Sequence, residues 1–294
     1  MKSIQVMDFA FNKLGEVAQF SSLSITRSYY GVGAVDITIN PRARQALKLL
    51  PPCIIFPSGD PSRACILEDI AAFTRTKLQI KGRQLKSMAT WRGCVPPLSS
   101  ALPYQGFGWD RFTGDAESAY LHYANNSLIA PEDATRALPL LVAGENLHRG
   151  ASLPWQARFD RLEALFQSIG EATELGWTIE PDLAFKQFVF RAWQGVDRTT
   201  GTALCLISEG NGNASEINLK RTATGSATTV YVGGAGEDEN RFILTVGGSV
   251  SGIDRREMWT EAGSLDDPAM ITLYGQNKLD SAAAKTTLST DLID

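Results

Sequence analysis

The 294-residue sequence predicts an α+β fold, with two mainly strand regions on either side of a mixed helical and strand segment. Three observations carry this. Short strand-like segments recur through residues 1–92, with a period-two alternation at residues 35–40, and strand patterns return in the last third, as at residues 242–246. Residues 93–112 are broken by Pro96, Pro97, Pro103, Gly106 and Gly108. Between the strand regions, Phe159, Leu162, Leu165, Phe166 and Ile169 recur on one helical face. The corresponding division is 1–92 as a first barrel-like domain, 93–185 as a mixed α+β domain, and 186–294 as a second β-rich domain ending in a helix.

In the first region, Val35, Ile37 and Ile39 alternate with Asp36, Thr38 and Asn40, as in a strand with one buried face. A short helix is expected next, with Asn40 as its cap, Pro41 in its first position, and Ala46, Leu47 and Leu50 on its apolar face. Short strands follow at 53–56, 64–67 and 78–80, separated by turns such as Pro57-Ser58-Gly59-Asp60, and together they suggest a small barrel.

In the middle region Asp115 is placed to cap a helix bearing Ala119, Leu121 and Tyr123, and the longer helix from Phe159 is expected to stop at Gly176. Residues 177–180 and 184–193 predict a strand pair turning at Pro181-Asp182. In the last region strands are expected near 203–208, 215–222, 228–232 and 241–247, then a helix from about Asp266 through the alanines at 282–284, with no terminal strand after it.

Composition bounds the function. The chain is 44% hydrophobic and 20% charged with a net charge of -4, so it has no overall basic field to hold nucleic acid through counterion release. Asp8 interrupts the place where a signal peptide needs apolar residues, and no run reaches the ~18 apolar residues of a membrane helix, so neither secretion by that route nor a membrane segment is expected. Cys53, Cys65, Cys94 and Cys205 are scattered and read as buried thiols, while His122 and His148 are too few and too distant to announce a metal site.

Candidate chemistry is sparse. Gly247-Gly248-Ser249-Val250-Ser251-Gly252 lacks a serine at the apex of a nucleophile elbow. Glu237, Asp238, Glu239, Asp254, Glu257 and Glu261 offer carboxylates for a glycosidase pair, against the plainer reading of surface solvation. Trp91, Tyr104, Phe107 and Trp109 offer a sugar or base platform, against packing of a long loop. The stretch YVGGAGEDENR, residues 231–241, lacks the Lys-Ser/Thr of a phosphate loop and lies between two alternating segments, so its glycines are expected to turn one strand into the next.

Five stretches in order, FSSLSITRSYYGVGAVDITI, LQIKGRQLKSMATWRG, QGVDRTT, YVGGAGEDENR and RREMW, resemble the Gp37-like tail proteins of siphophages, which are baseplate hub or tail-tip proteins. The resemblance implies two mainly antiparallel β-barrel-like domains with a mixed α/β domain between them. It further implies a homotrimer whose barrels form a pseudo-sixfold ring, with the tail tube, distal tail and tape measure proteins as partners. DNA would pass without specific binding, and the protein would be made in the host cytoplasm and reside at the virion tail tip. No catalytic, cofactor or metal residues are implied. Gly82, Arg83, Gly195, Asp197, Arg198, Gly233, Gly234, Gly236, Arg241, Arg256 and Glu257 carry over as structural markers, glycines for turns and charged residues for tying strands. Relatives continue past the last helix into further strands, a departure from the reading made of this chain. A tail-associated glycan-active enzyme or a carbohydrate-binding module are the alternatives.

Overall fold

The structure is a computed structural model that describes residues 3–97, 107–204, 206–263 and 265–292. The chain divides into two compact units, Met1–Gln194 and Gly195–Asp294.

The first unit is built on seven strands: β1 (Ile4–Met7), β2 (Lys13–Val17), β3 (Ser22–Ile25), β4 (Ala34–Ile39), β5 (Cys53–Pro57), β6 (Cys65–Phe73) and β7 (Leu78–Gln84). They form one sheet in the order β2-β1-β5-β6-β7-β4-β3, antiparallel at every pairing. The alternation read from β4 is realised, with Val35, Ile37 and Ile39 buried. These residues join Ile4, Val6, Val17, Cys53, Ile55, Cys65, Leu67, Leu78 and Ile80 in a single apolar cluster on one face of the sheet. β2 and β3 are its two edges, so the strands make an open sheet and no closed barrel is formed among the described residues. Alternation fixes which face is buried and leaves open whether two edges meet.

The helix expected after Asn40 is reduced to a turn followed by a 3-10 helix over Ala46–Leu49. Asn40 does cap, accepting from the Arg42 amide at 2.9 Å. The α-helix fails because Gln45 takes a left-handed φ of 64°, and its side chain instead accepts from the Glu16 amide of β2 at 3.1 Å.

The rest of the unit holds β8 (Asp110–Asp115), α1 (Ala116–Ala124), β9 (Leu141–Ala143), β10 (Ser152–Ala157), α2 (Leu162–Thr173), β11 (Gly176–Asp182) and β12 (Gln187–Trp193). β8 pairs with β10, while β11, β12 and β9 form a second small sheet in that order. Asp115 caps α1 as expected, accepting from the Ser118 amide at 2.8 Å. α2 ends earlier than Gly176, because Glu174 turns left-handed with φ 57°. Gly176 opens β11, where a Cβ would come within 2.6 Å of the Tyr29 ring. The expected turn at Pro181-Asp182 is displaced to residues 183–186, and Asp182 starts it by accepting from the amides of Ala184 and Phe185. Pro181 stays inside β11 because β11 is an edge strand, where a missing donor costs little. Tyr120, Phe166, Trp177 and Phe190 pack the two helices onto this sheet, with Phe166 centred 4.9 Å from Trp177 and 5.2 Å from Phe190.

The second unit comprises β13 (Ala214–Thr222), β14 (Thr229–Gly233), β15 (Ile243–Val246), β16 (Glu257–Glu261), α3 (Pro268–Ser281) and β17 (Lys285–Leu292). β14 is central, antiparallel to β15 and parallel to β16. α3 starts at Pro268 with Asp267 capping the Ala269 amide, and it lays Ile271 on Val230, Val232 and Val246. Two expectations are corrected here. No strand forms over the described residues of 203–208, because the Asn213 side chain ties the Leu206 carbonyl and the Ser208 amide into a loop. A terminal strand does exist: β17 follows α3 and pairs antiparallel with β13. Its polar sequence KTTLSTDL hid it from an apolar count. Among the described residues, no helix is long and apolar enough to cross a membrane.

Candidate functional site

The marker residues fall in separate places, Gly82 and Arg83 in β7, Gly195, Asp197 and Arg198 in the stretch after β12, and the others around β14, β15 and β16. In the glycine stretch, β14 runs into a turn and returns as β15, so Gly233 lies opposite Ile243. Gly236 has φ 102°, and a Cβ there would overlap the Asn240 carbonyl. A Cβ on Gly233 would come within 2.6 Å of the Trp259 ring, and one on Gly234 within 2.6 Å of the Ile271 side chain. Arg241 closes the loop, ion-paired to Glu261 and with its guanidinium 5.5 Å from the Trp259 ring centre. Trp259 donates to Glu261 at 2.8 Å. These glycines admit a ring, a helix side chain and a backbone at close quarters, which is a packing role.

Glu257 belongs to a second knot. Arg255 donates to Glu257 at 2.6 Å and to the Tyr231 hydroxyl at 3.0 Å, and that hydroxyl donates to Glu257 at 3.0 Å. Arg255 was not singled out in the sequence, although it directly precedes Arg256. Arg256 faces elsewhere, donating to the Ala223 carbonyl at 2.9 Å and Ser226 at 3.1 Å across the β13–β14 connection.

In the first unit Arg83 of β7 grips Glu68 of β6 through two hydrogen bonds, 2.7 and 2.8 Å, and Thr90 through a third at 3.1 Å. Gly82 lies where the two strands press together, and a Cβ there would overlap the Ile66 carbonyl. Asp197 accepts from the Thr199 amide and hydroxyl, a local turn beside Gly195, and Arg198 is exposed.

Two buried charges gave no sequence signal of function. Lys86 is 2% exposed, and its ammonium donates to the carbonyls of Ser28, Tyr29 and Trp177 at 2.8, 3.1 and 3.1 Å while lying 4.6 Å from the Trp177 ring centre. Burial lowers its pKa to about 7, with Arg27 adding like-charge repulsion. Trp177 in turn donates to the Tyr30 carbonyl at 2.6 Å, and Tyr29 donates to the carbonyls of Glu174 and Trp193. The Ser-Tyr-Tyr stretch is therefore a latch between the large sheet and the helical layer. Glu117, 1% exposed, is held by two hydrogen bonds from Arg149 at 2.9 and 2.8 Å.

The catalytic candidates separate. Glu257, Trp259 and Glu261 share one side of β16, which sets the two carboxylates' strand positions about 13 Å apart, wider than the roughly 5–9.5 Å a glycosidase pair requires. Both are also held below the usual carboxylate range, Glu257 by Arg255 and Tyr231 and Glu261 by Trp259 and Arg241, so neither is poised as a general acid. Glu237, Asp238 and Glu239 sit exposed on the turn. Cys53, Cys65 and Cys94 are buried, and burial pushes each thiol up to about 12, far from a neutral-pH thiolate. Cys205 and Tyr104 lie outside the described residues. His122 lies 2.7 Å from Asp110, and Asn126 donates to the same carboxylate at 3.2 Å. His148 meets both Ser118 and Asp115 through one ring nitrogen, a cap arrangement and not a relay, since a relay uses both nitrogens. Trp91 packs on Phe9, and Trp109 lies beside Arg158. Among the described residues no group of three or more His, Cys, Asp or Glu side chains is arranged to hold a metal. A cavity of about 400 Å³ lined by Val95, Asn126, Glu132, Arg136 and Phe159 holds none of the marker residues.

Against known proteins, the sequence model of the Siphovirus ReqiPepy6 Gp37-like protein family matches residues 3–294. No curated protein matches the chain. Among solved structures, the chain is similar to the 43 kDa tail protein of prophage MuSo2 from Shewanella oneidensis. The identity is 10% and the TM-score 0.50, covering 95% of this chain and 79% of that one. A tail protein from Neisseria meningitidis MC58 is 12% identical with a TM-score of 0.49, covering 93% and 74%. Prophage tail protein gp18 from Listeria monocytogenes EGD-e is 11% identical with a TM-score of 0.45, covering 89% and 72%.

Proposed function

Because the chain belongs to the Siphovirus ReqiPepy6 Gp37-like family and shares its fold with a prophage tail protein, we propose that it is a structural protein of a phage tail. More specifically, it is the baseplate hub at the tail tip, a trimeric ring that joins the tail tube to the distal tail and gates the DNA channel. The observation that carries this reading is the family match over residues 3–294. The geometry supports it in one respect. Marker residues from Gly82 to Glu257 hold strands and turns in place.

On this reading the seven-stranded sheet is the barrel-like domain of residues 1–92. Residues 93–185 form the mixed domain and 186–294 the second β-rich domain. Homotrimer formation, contacts with the tube, distal tail and tape measure proteins, and passage of DNA without specific binding belong to the same proposal, as does synthesis in the host cytoplasm. The net charge of -4 supports a channel that does not retain DNA.

The test is the virion itself. Antibody labelling of phage particles is expected to mark the distal end of the tail, and cryo-microscopy to show three copies in a ring there. A virion lacking the chain, or a chain that stays a single copy beside purified tube and distal tail proteins, overturns the hub.

A further inference from the structure

The sheet of β14, β15 and β16 has a second face, turned away from α3. Val230, Val232 and Val246 pack towards the helix, so by alternation Tyr231, Glu257, Trp259 and Glu261 stand on the opposite side. Trp259 is fixed there by three contacts. Its indole N–H donates to Glu261 at 2.8 Å, two carbons of its benzene edge rest on the bare backbone of Gly233, and the Arg241 guanidinium lies 5.5 Å from the ring centre. The indole is nevertheless 47% exposed. β16 is an edge strand, and among the described residues no further strand shields it. A large apolar ring that is both held still and left open is a preformed platform.

The groups around the indole say what can lie on it. Glu257 and Glu261 stand one on either side of Trp259 along β16, with side chains 49% and 55% exposed, more than the Arg255 and Arg241 that pair with them. The charges therefore cancel in pairs, with the carboxylates outermost. Arg255 and the Tyr231 hydroxyl both donate to Oε1 of Glu257, so Oε2 keeps its acceptor sites. A phosphate chain or an acidic polymer would meet the carboxylates first and be repelled. The centre of a protein interface is depleted of glutamate, yet here one stands at each end of the tryptophan. A pyranose ring suits the whole arrangement, because its C–H face stacks on an aromatic ring while the hydroxyls around its rim donate to carboxylates.

The geometry points to Trp259 as the platform of a binding site for a neutral saccharide, with Glu257 and Glu261 accepting from hydroxyls at the two ends of the sugar ring. The separation of these carboxylates that rules out a glycosidase pair leaves room for a sugar between them, so the saccharide is bound and not cleaved. This site does not depend on the assembly reading above, and its loss would leave that reading standing.

Saturation-transfer NMR on the full chain, with tetrasaccharides of glucose, galactose, mannose and N-acetylglucosamine as probes, tests it. At least one is expected to bind with a Kd of about 1 mM, with the strongest transfer to the C–H protons of one ring face and no cleavage during the titration. Trp259→Ala is expected to weaken binding roughly tenfold, and Trp259→Phe to recover most of the loss. Glu257→Gln, which leaves the indole in place, is expected to weaken it roughly threefold by removing a charge-assisted acceptor. Circular dichroism should be the same for every variant, and an acidic hyaluronan tetrasaccharide should not bind. Binding of none of the neutral probes, binding indifferent to Trp259→Ala and Glu257→Gln, or a preference for the hyaluronan fragment overturns the site. So does a fall in particle mass by light scattering on Trp259→Ala with no sugar bound by the wild type, which would mark the face as a protein contact.

Discussion

Lys86 shows how a single side chain can organise a layer. Its three N–H donors meet three carbonyls from two separate segments, so replacing it strands those carbonyls without water. Lys86→Met is expected to lower stability by about 2–4 kcal/mol in urea unfolding. The pH dependence has a definite sign. With a folded pKa near 7, below the ordinary lysine value of 10.5, the unfolded chain binds more protons between the two. The contribution of Lys86 to stability is therefore full above that upper value and declines as pH falls towards 7. The gap between wild type and Lys86→Met should widen from neutral to alkaline pH, and a gap that narrows refutes the burial. Gly82→Ala is expected to cost about 1–3 kcal/mol, because the new methyl collides with backbone and not with a yielding side chain. Glycine markers were legible in the sequence because turns and close approaches demand them. Lys86 was not, since nothing in a lysine's neighbours along the chain says that its head will be buried.

Among the elements, paired strands are tied by charge as well as by backbone. A double-mutant cycle on Arg83→Met and Glu68→Gln is expected to give a coupling of about 0.5–1 kcal/mol, modest because the arginine is partly exposed. Glu117 is more committed. Burial alone would raise its pKa, but the Arg149 guanidinium outweighs this and holds it below the usual carboxylate range. Its stabilisation is present above the unfolded-state pKa of about 4.5 and is lost as pH falls through the lower folded value. Glu117→Gln should therefore flatten the acid limb of a stability profile, and an unchanged limb excludes the pair. Strands with a clean apolar alternation, β4 above all, and helices with an aspartate before their first turn, α1 and α3, were readable in advance. β17 and the 3-10 helix over Ala46–Leu49 were missed, because a polar exposed strand and a left-handed Gln45 leave no periodic trace.

For the whole molecule, the two compact units meet in sequence at Gln194 and Gly195, within an exposed stretch that includes Arg198. Limited trypsin digestion is expected to cut first at Arg198 and release two fragments that each resist further cleavage. A first cut inside the seven-stranded sheet counts against this division. That the chain is mostly sheet with few helices was visible in composition and period. The open sheet was not, because period two specifies a buried face and says nothing about whether the outermost strands come together.

The strand order of the large sheet also sets a timetable for its making. β1 pairs with β5, Ile4 against Pro57, and β4 pairs with β7, Ala34 against Arg83, so the two ladders that join its hairpins into one sheet connect residues far apart along the chain. Such pairings require the closing of long loops before any reward and are slow to form. During synthesis the sheet has to wait until residue 84 has left the ribosome. Until then β4 and β6 lack the β7 strand that lies between them, the interval in which a nascent chain most needs a chaperone.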